Sequence, residues 1–94
     1  MIIKKVTYKV KPRELETVKK AVRVFVKAIH SSEPETIYEA YEHSGDETSF
    51  THFMAFPNLK AEKKHQTAEY TLRFVKILYP NCSKKPVFTD LKKV

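Results

Sequence analysis

The chain has 94 residues, 41% of them hydrophobic and 31% charged, with a formal net charge of +7. That length holds one domain, residues 1–94, with a modest core, and the apolar content excludes a disordered chain. Its lysines fall in scattered pairs rather than one long run, which reads as a solvated surface rather than a polyanion-binding arm.

Residues 2–10, "IIKKVTYKV", alternate as a strand does: Ile2, Val6, Tyr8 and Val10 share one side, with Lys4 as the exception among them. Pro12 suits the first position of a helix, and Glu14 and Glu16 suit the positive end of its dipole. Leu15, Val18, Val22, Phe25, Val26 and Ile29 recur at helical spacing, predicting an amphipathic helix of about 17 residues. "SSEP" interrupts it. Residues 36–43 read as a second strand, and Gly45, the only glycine, marks a hairpin loop that needs positive φ. A third strand, "SFTHFMAF", runs from Ser49 to Phe56, ends at Pro57, and is followed by Asn58 as an N-cap. A second helix is expected from about Leu59 to Tyr79, with Ala61, His65, Ala68, Leu72 and Val75 along its apolar line. "PNCSKKP" reads as a loop and "VFTDLKKV" as a short last strand.

The lone cysteine, Cys82, allows no internal disulfide and suits a reducing compartment. The N-terminal stretch lacks a signal-peptide core, and no window reaches the roughly 18 apolar residues of a membrane span. The expectation is a cytoplasmic protein with no membrane partner.

The order β-α-β-β-α-β predicts an α+β, ferredoxin-like fold: a four-stranded antiparallel sheet with two helices on one face. The third strand carries apolar side chains both ways: Phe50, Met54 and Phe56 on one side, Phe53 and Ala55 on the other. Something should therefore cover the face that the helices leave bare. An RNA-recognition module has this element order, but the third strand lacks the glycines and the leading basic residue of that motif, so nucleic acid is disfavoured. An acylphosphatase-like enzyme would want a glycine-bearing phosphate cradle after the first strand, where "KVKPRE" stands. The remaining cover is a second copy of the chain, giving a homodimeric α+β barrel.

From about Tyr38 onward, "YEAYEHSGDETSFTHFMAFPNLKAEKKHQTAEYTLRFVKILYP" followed by "KPVFTDLKKV" resembles the antibiotic biosynthesis monooxygenase domain family. Phe56, Asn58, Ala61, His65, Phe74 and Pro80 fall at matching places. The resemblance implies a dimeric ferredoxin-like barrel and a cofactor-independent monooxygenase acting on an aromatic or quinol-type small molecule. Many members have tryptophan where Phe56 stands. Haem-degrading relatives place asparagine on the first strand, where Thr7, Tyr8 and Lys9 stand, so haem degradation is not implied. A non-catalytic dimeric barrel that binds a small hydrophobic ligand or a protein partner is the alternative reading.

His65 is the catalytic candidate. It lies on the apolar line of the second helix, and an imidazole can take a phenolic proton near neutral pH. His52, Phe53, Phe56, Tyr38 and Phe74 are candidate substrate-binding residues. Alternation leaves open whether His52 faces the helices, near His65, or the dimer partner. Four histidines without ligand spacing predict no metal site, and no cofactor is expected. Cys82 has no neighbouring base to make it a nucleophile.

Overall fold

A computed structural model describes all residues 1–94. The strands are β1 (Ile2–Val10), β2 (Ile37–His43), β3 (Asp46–Phe56) and β4 (Cys82–Leu91), and the helices are α1 (Leu15–Ser32), α2 (Leu59–Thr67) and α3 (Glu69–Leu78). The strands form one antiparallel sheet in the order β2-β3-β1-β4, the topology expected from the element order. A single 3-10 turn, Pro12–Glu14, leads into α1, with Pro12 where its missing N–H costs nothing.

Alternation decides what each face of the sheet carries. Paired residues of antiparallel strands point the same way, so side chains form rows across the sheet. The rows under the helices run Tyr38–Met54–Lys4–Asp90 and Ala40–His52–Val6–Phe88, with Phe50 beside Tyr8. Val18, Val22, Phe25 and Ile29 of α1, with Phe74 and Leu78 of α3, pack on them to make the core. The hairpin forms as expected: Ser44 and Gly45 join β2 to β3, and Gly45 takes φ +85°. Asn58 caps α2 through a 2.9 Å bond from the Ala61 backbone N–H to its side-chain oxygen.

Three boundaries differ from the sequence expectation, the first being the start of β3, at Asp46 rather than Ser49. The single long second helix is two helices, because Ala68 is extended (φ −63°, ψ 143°) with no proline or glycine near it. The break rotates the buried side of the second segment: Phe74 and Leu78 enter the core, while Leu72, expected on the apolar line, is exposed. The last strand also starts earlier, at Cys82 rather than Val87. Register shifts against β1 absorb the extra residues there, and Pro86, which has no N–H to donate, is accommodated on this irregular edge.

The other face of the sheet carries no helix. Its rows run Ile37–Ala55–Ile3–Leu91, then Glu39–Phe53–Lys5–Thr89, then Tyr41–Thr51–Thr7–Val87. One row is wholly apolar, one sets Phe53 between a carboxylate and an ammonium, and the third holds a 3.1 Å Thr7–Thr51 hydroxyl bond. Ala55 is buried among these larger neighbours, but Ile37, Tyr41 and Val87 stay 46%, 54% and 65% exposed.

Candidate functional site

Between the sheet and the helices lies a cavity of about 220 Å³, lined largely by apolar side chains. That is below the roughly 300–1,000 Å³ of pockets for drug-sized ligands, so it suits a molecule of one or two rings. Tyr38, His52, Phe56, His65 and Phe74 all line it. Phe53 does not. The alternation of β3 that turns His52 and Phe56 inward turns Phe53 to the bare face, so its place as a pocket wall is corrected.

His65 enters from α2. Its Nδ1 lies 2.9 Å from Glu33 Oε2, and the same oxygen accepts a hydrogen bond from Tyr70 Oη. Glu33 is buried at the C-terminal end of α1, with its backbone N–H bonded to the Ile29 carbonyl at 2.7 Å. A carboxylate only accepts, so Nδ1 donates; in the neutral ring Nε2 then carries the lone pair. No group of the chain is hydrogen-bonded to Nε2. The rings of Phe25, Tyr38 and Phe56 pack around the imidazole at centroid distances of 5.7, 5.5 and 5.2 Å. Burial first, and then the bond to Glu33, push the Tyr70 hydroxyl pKa upward, so Tyr70 stays a neutral donor.

The break at Ala68 makes this arrangement. His65 and Tyr70 are five residues apart, which in an unbroken helix would separate them by about 140° around the axis. The extended residue between them lets both reach one carboxylate oxygen. Glu33 and Tyr70 were not among the residues singled out from sequence. Glu33 sits in "SSEP", where only a helix stop is visible, and it meets His65 across 32 positions of chain.

His52 enters from β3 and is 0% exposed. Tyr8 Oη lies 2.8 Å from its Nε2 and Tyr38 Oη 2.7 Å from its Nδ1. It faces the helices, which resolves the alternative left open by alternation. Burial without a carboxylate partner lowers its pKa to about 4, so the ring is neutral at physiological pH. Burial also raises both tyrosine pKa values, so these hydroxyls keep their protons. Tyr38 stands between the two histidines, bonded to one and packed on the other.

Lys4, the charged exception on the inner side of β1, also lines the cavity. Its Nζ is 2.5 Å from Glu62 Oε2 and 3.8 Å from Asp90 Oδ1, and the Glu62 bond holds its pKa up. His30 and His43 lie elsewhere: His30 Nε2 is 3.1 Å from the Tyr38 carbonyl, and His43 is exposed beside Thr51. No three His, Cys, Asp or Glu side chains gather as a metal-holding group. Cys82 sits half-buried against the core, where burial raises its thiol pKa. No helix is long and apolar enough to cross a membrane.

No family model and no curated protein matches the sequence. Solved structures do match the fold. An antibiotic biosynthesis monooxygenase superposes with a TM-score of 0.91 at 19% identity, covering 100% of this chain and 99% of its own. A protein from Nitrosomonas europaea, provisionally named as the same kind of enzyme, gives 0.88 at 19% identity over 100% and 99%. Another so named, from Caulobacter crescentus CB15, gives 0.90 at 20% identity over 99% and 89%. The resemblance drawn from the second half of the sequence thus extends over the whole chain as structure: the protein has the ferredoxin-like α+β fold of the structures named antibiotic biosynthesis monooxygenase.

Proposed function

We propose that this protein is a cofactor-independent monooxygenase of small phenolic or quinol-type aromatic molecules, working as a homodimer. The observation that carries the reading is the Glu33–His65 pair at the edge of an apolar cavity. Glu33 holds the imidazole in the tautomer whose Nε2 is bare, and that nitrogen takes the hydroxyl proton of a bound phenol. The apolar walls keep the resulting phenolate poorly solvated and electron-rich. It passes one electron to O2, the two radicals join through a C–O bond, and the hydroperoxide loses water. The balance is closed: the C–H para to the hydroxyl becomes C=O, one oxygen atom goes to that carbonyl and the other to water. The substrate gives up all four electrons, so the stoichiometry needs no external reductant. The fold shared with structures bearing the monooxygenase name supports the same class of reaction.

Oxygen uptake with a panel of phenols and quinols tests this. Wild type should consume O2 above the uncatalysed rate. His65→Gln should lose at least about a hundredfold, because the amide still donates to Glu33 but cannot take a proton. Binding without uptake on any member of the panel would replace the enzyme reading with that of a non-catalytic binding barrel.

The dimer rests on the bare sheet face, whose apolar row Ile37–Ala55–Ile3–Leu91 crosses all four strands. A two-fold related copy would pack its own row on this one, and Lys5 and Glu39, which flank Phe53, would offer opposite charges across the axis. Sedimentation should report a dimer at micromolar concentration, and Phe53→Lys a folded monomer. A wild-type chain that stays monomeric and folded there would end the dimer reading.

A further inference from the structure

The bonding of Tyr8, His52 and Tyr38 leaves one proton over. A neutral imidazole carries one N–H and one bare nitrogen, and each tyrosine carries one O–H. The group therefore holds three hydrogen-bonding protons but makes two internal bonds. Whichever tyrosine accepts from the ring N–H must point its own O–H elsewhere. Neither hydroxyl has another partner in the chain, and both side chains are buried, at 2% and 4% exposure. Both also line the cavity. A buried donor without an acceptor is costly, and here the open direction for it is the cavity itself.

We propose that Tyr8, His52 and Tyr38 form a hydrogen-bond relay that donates one hydroxyl proton into the cavity and selects phenolic ligands bearing a second, acceptor oxygen such as a ring ketone. The inference rests on the reading of the cavity as a phenol site and adds the second half of the recognition. His65 Nε2 accepts from the ligand hydroxyl, and the relay donates to the ligand carbonyl. Tyr38 lies between the two polar ends, which sets them against different parts of one small ligand. The low pKa of His52 supports this, because a protonated ring would donate at both nitrogens and change the count. His52 acts through the tyrosines, so it is a positioning residue.

The test compares two phenols of nearly equal size, 6-hydroxy-1-tetralone and 5,6,7,8-tetrahydro-2-naphthol, which differ by the ketone. Binding is measured by calorimetry without oxygen, so turnover does not enter. Wild type should prefer the ketone by at least about tenfold, since the deoxy compound leaves the buried hydroxyl unpaired. In the Tyr8→Phe/Tyr38→Phe double variant the preference should fall to about unity. A measurement on the unaltered protein accompanies it: the ring 15N resonances of His52 should report a change in tautomer populations on adding the ketone and none on adding the naphthol. Equal affinities in wild type, binding of neither phenol, a preference that survives in the double variant, or a His52 ring indifferent to the ketone would each overturn the relay. A retained ketone preference with no oxygen uptake on any phenol of the panel that has a free para C–H would instead overturn the oxygenase reading and leave the relay standing.

Discussion

The two histidines of the cavity are buried by opposite means. His65 is held by a carboxylate, which fixes its proton on Nδ1 and leaves Nε2 bare. His52 is held by two neutral hydroxyls, either of which can give or receive. The same side chain, on the same core surface, is made one-way in one place and two-way in the other by what its partners can donate. A charged partner also makes the first arrangement expensive to damage, whereas the second is sensitive to pH.

The largest effect should come from cutting the charged arm. His65→Leu leaves Glu33 buried with only Tyr70 to satisfy it, which should cost about 3–5 kcal/mol in urea unfolding. Adding Glu33→Gln to that variant should restore part of the loss, because the orphaned charge is then gone. An equal loss in both variants would mean that the carboxylate is not what makes this arm costly to break.

Acid should pick out the other arm. Unfolded His52 titrates near 6.5 and folded His52 at about 4, so between these pH values the unfolded chain binds the extra proton. Stability present above pH 6.5 is therefore lost as pH falls toward 4, by about 3 kcal/mol from this group. In His52→Gln the slope over that window should be visibly shallower. An unchanged slope would show that this ring does not discriminate the folded from the unfolded state.

The smallest effect tests whether the arms are separable. Asn58→Ala removes the cap of α2, the helix that carries His65, and should cost about 1 kcal/mol. Hydrogen exchange should quicken in α2 and leave β3 around His52 unchanged. Faster exchange in both would mean that the arms open as one unit.

How much of this could be read from the sequence depends on the range of the interaction. The strands and α1 were legible because their burial follows periods of two and 3.6 within a few residues. His65 was legible for the same reason, as a polar residue on an apolar line. Glu33 was not, because its role arises from a contact 32 positions away and its own neighbours, "SSEP", signal only the end of a helix. The break at Ala68 left no mark either. It satisfies a tertiary demand, the convergence of His65 and Tyr70 on one oxygen, in a segment whose local preferences are helical throughout. Phe53 shows the reverse case: the alternation that turned His52 inward already assigned it to the bare face, and grouping it with Phe56 as a wall went against that rule. The start of β4 was hidden by Pro86 and two lysines, residues that suit an irregular edge strand as well as a loop.

The Tyr8–His52–Tyr38 chain has one more property. The two tautomers of His52 give it opposite polarities: the free O–H sits on one tyrosine or on the other while every heavy atom keeps its place, and passing between them takes one proton out through the cavity at one end and returns one at the other. A rigid, fully packed interior thereby holds an adjustable end, and a guest seated in either of two orientations meets a donor without any rearrangement of the fold.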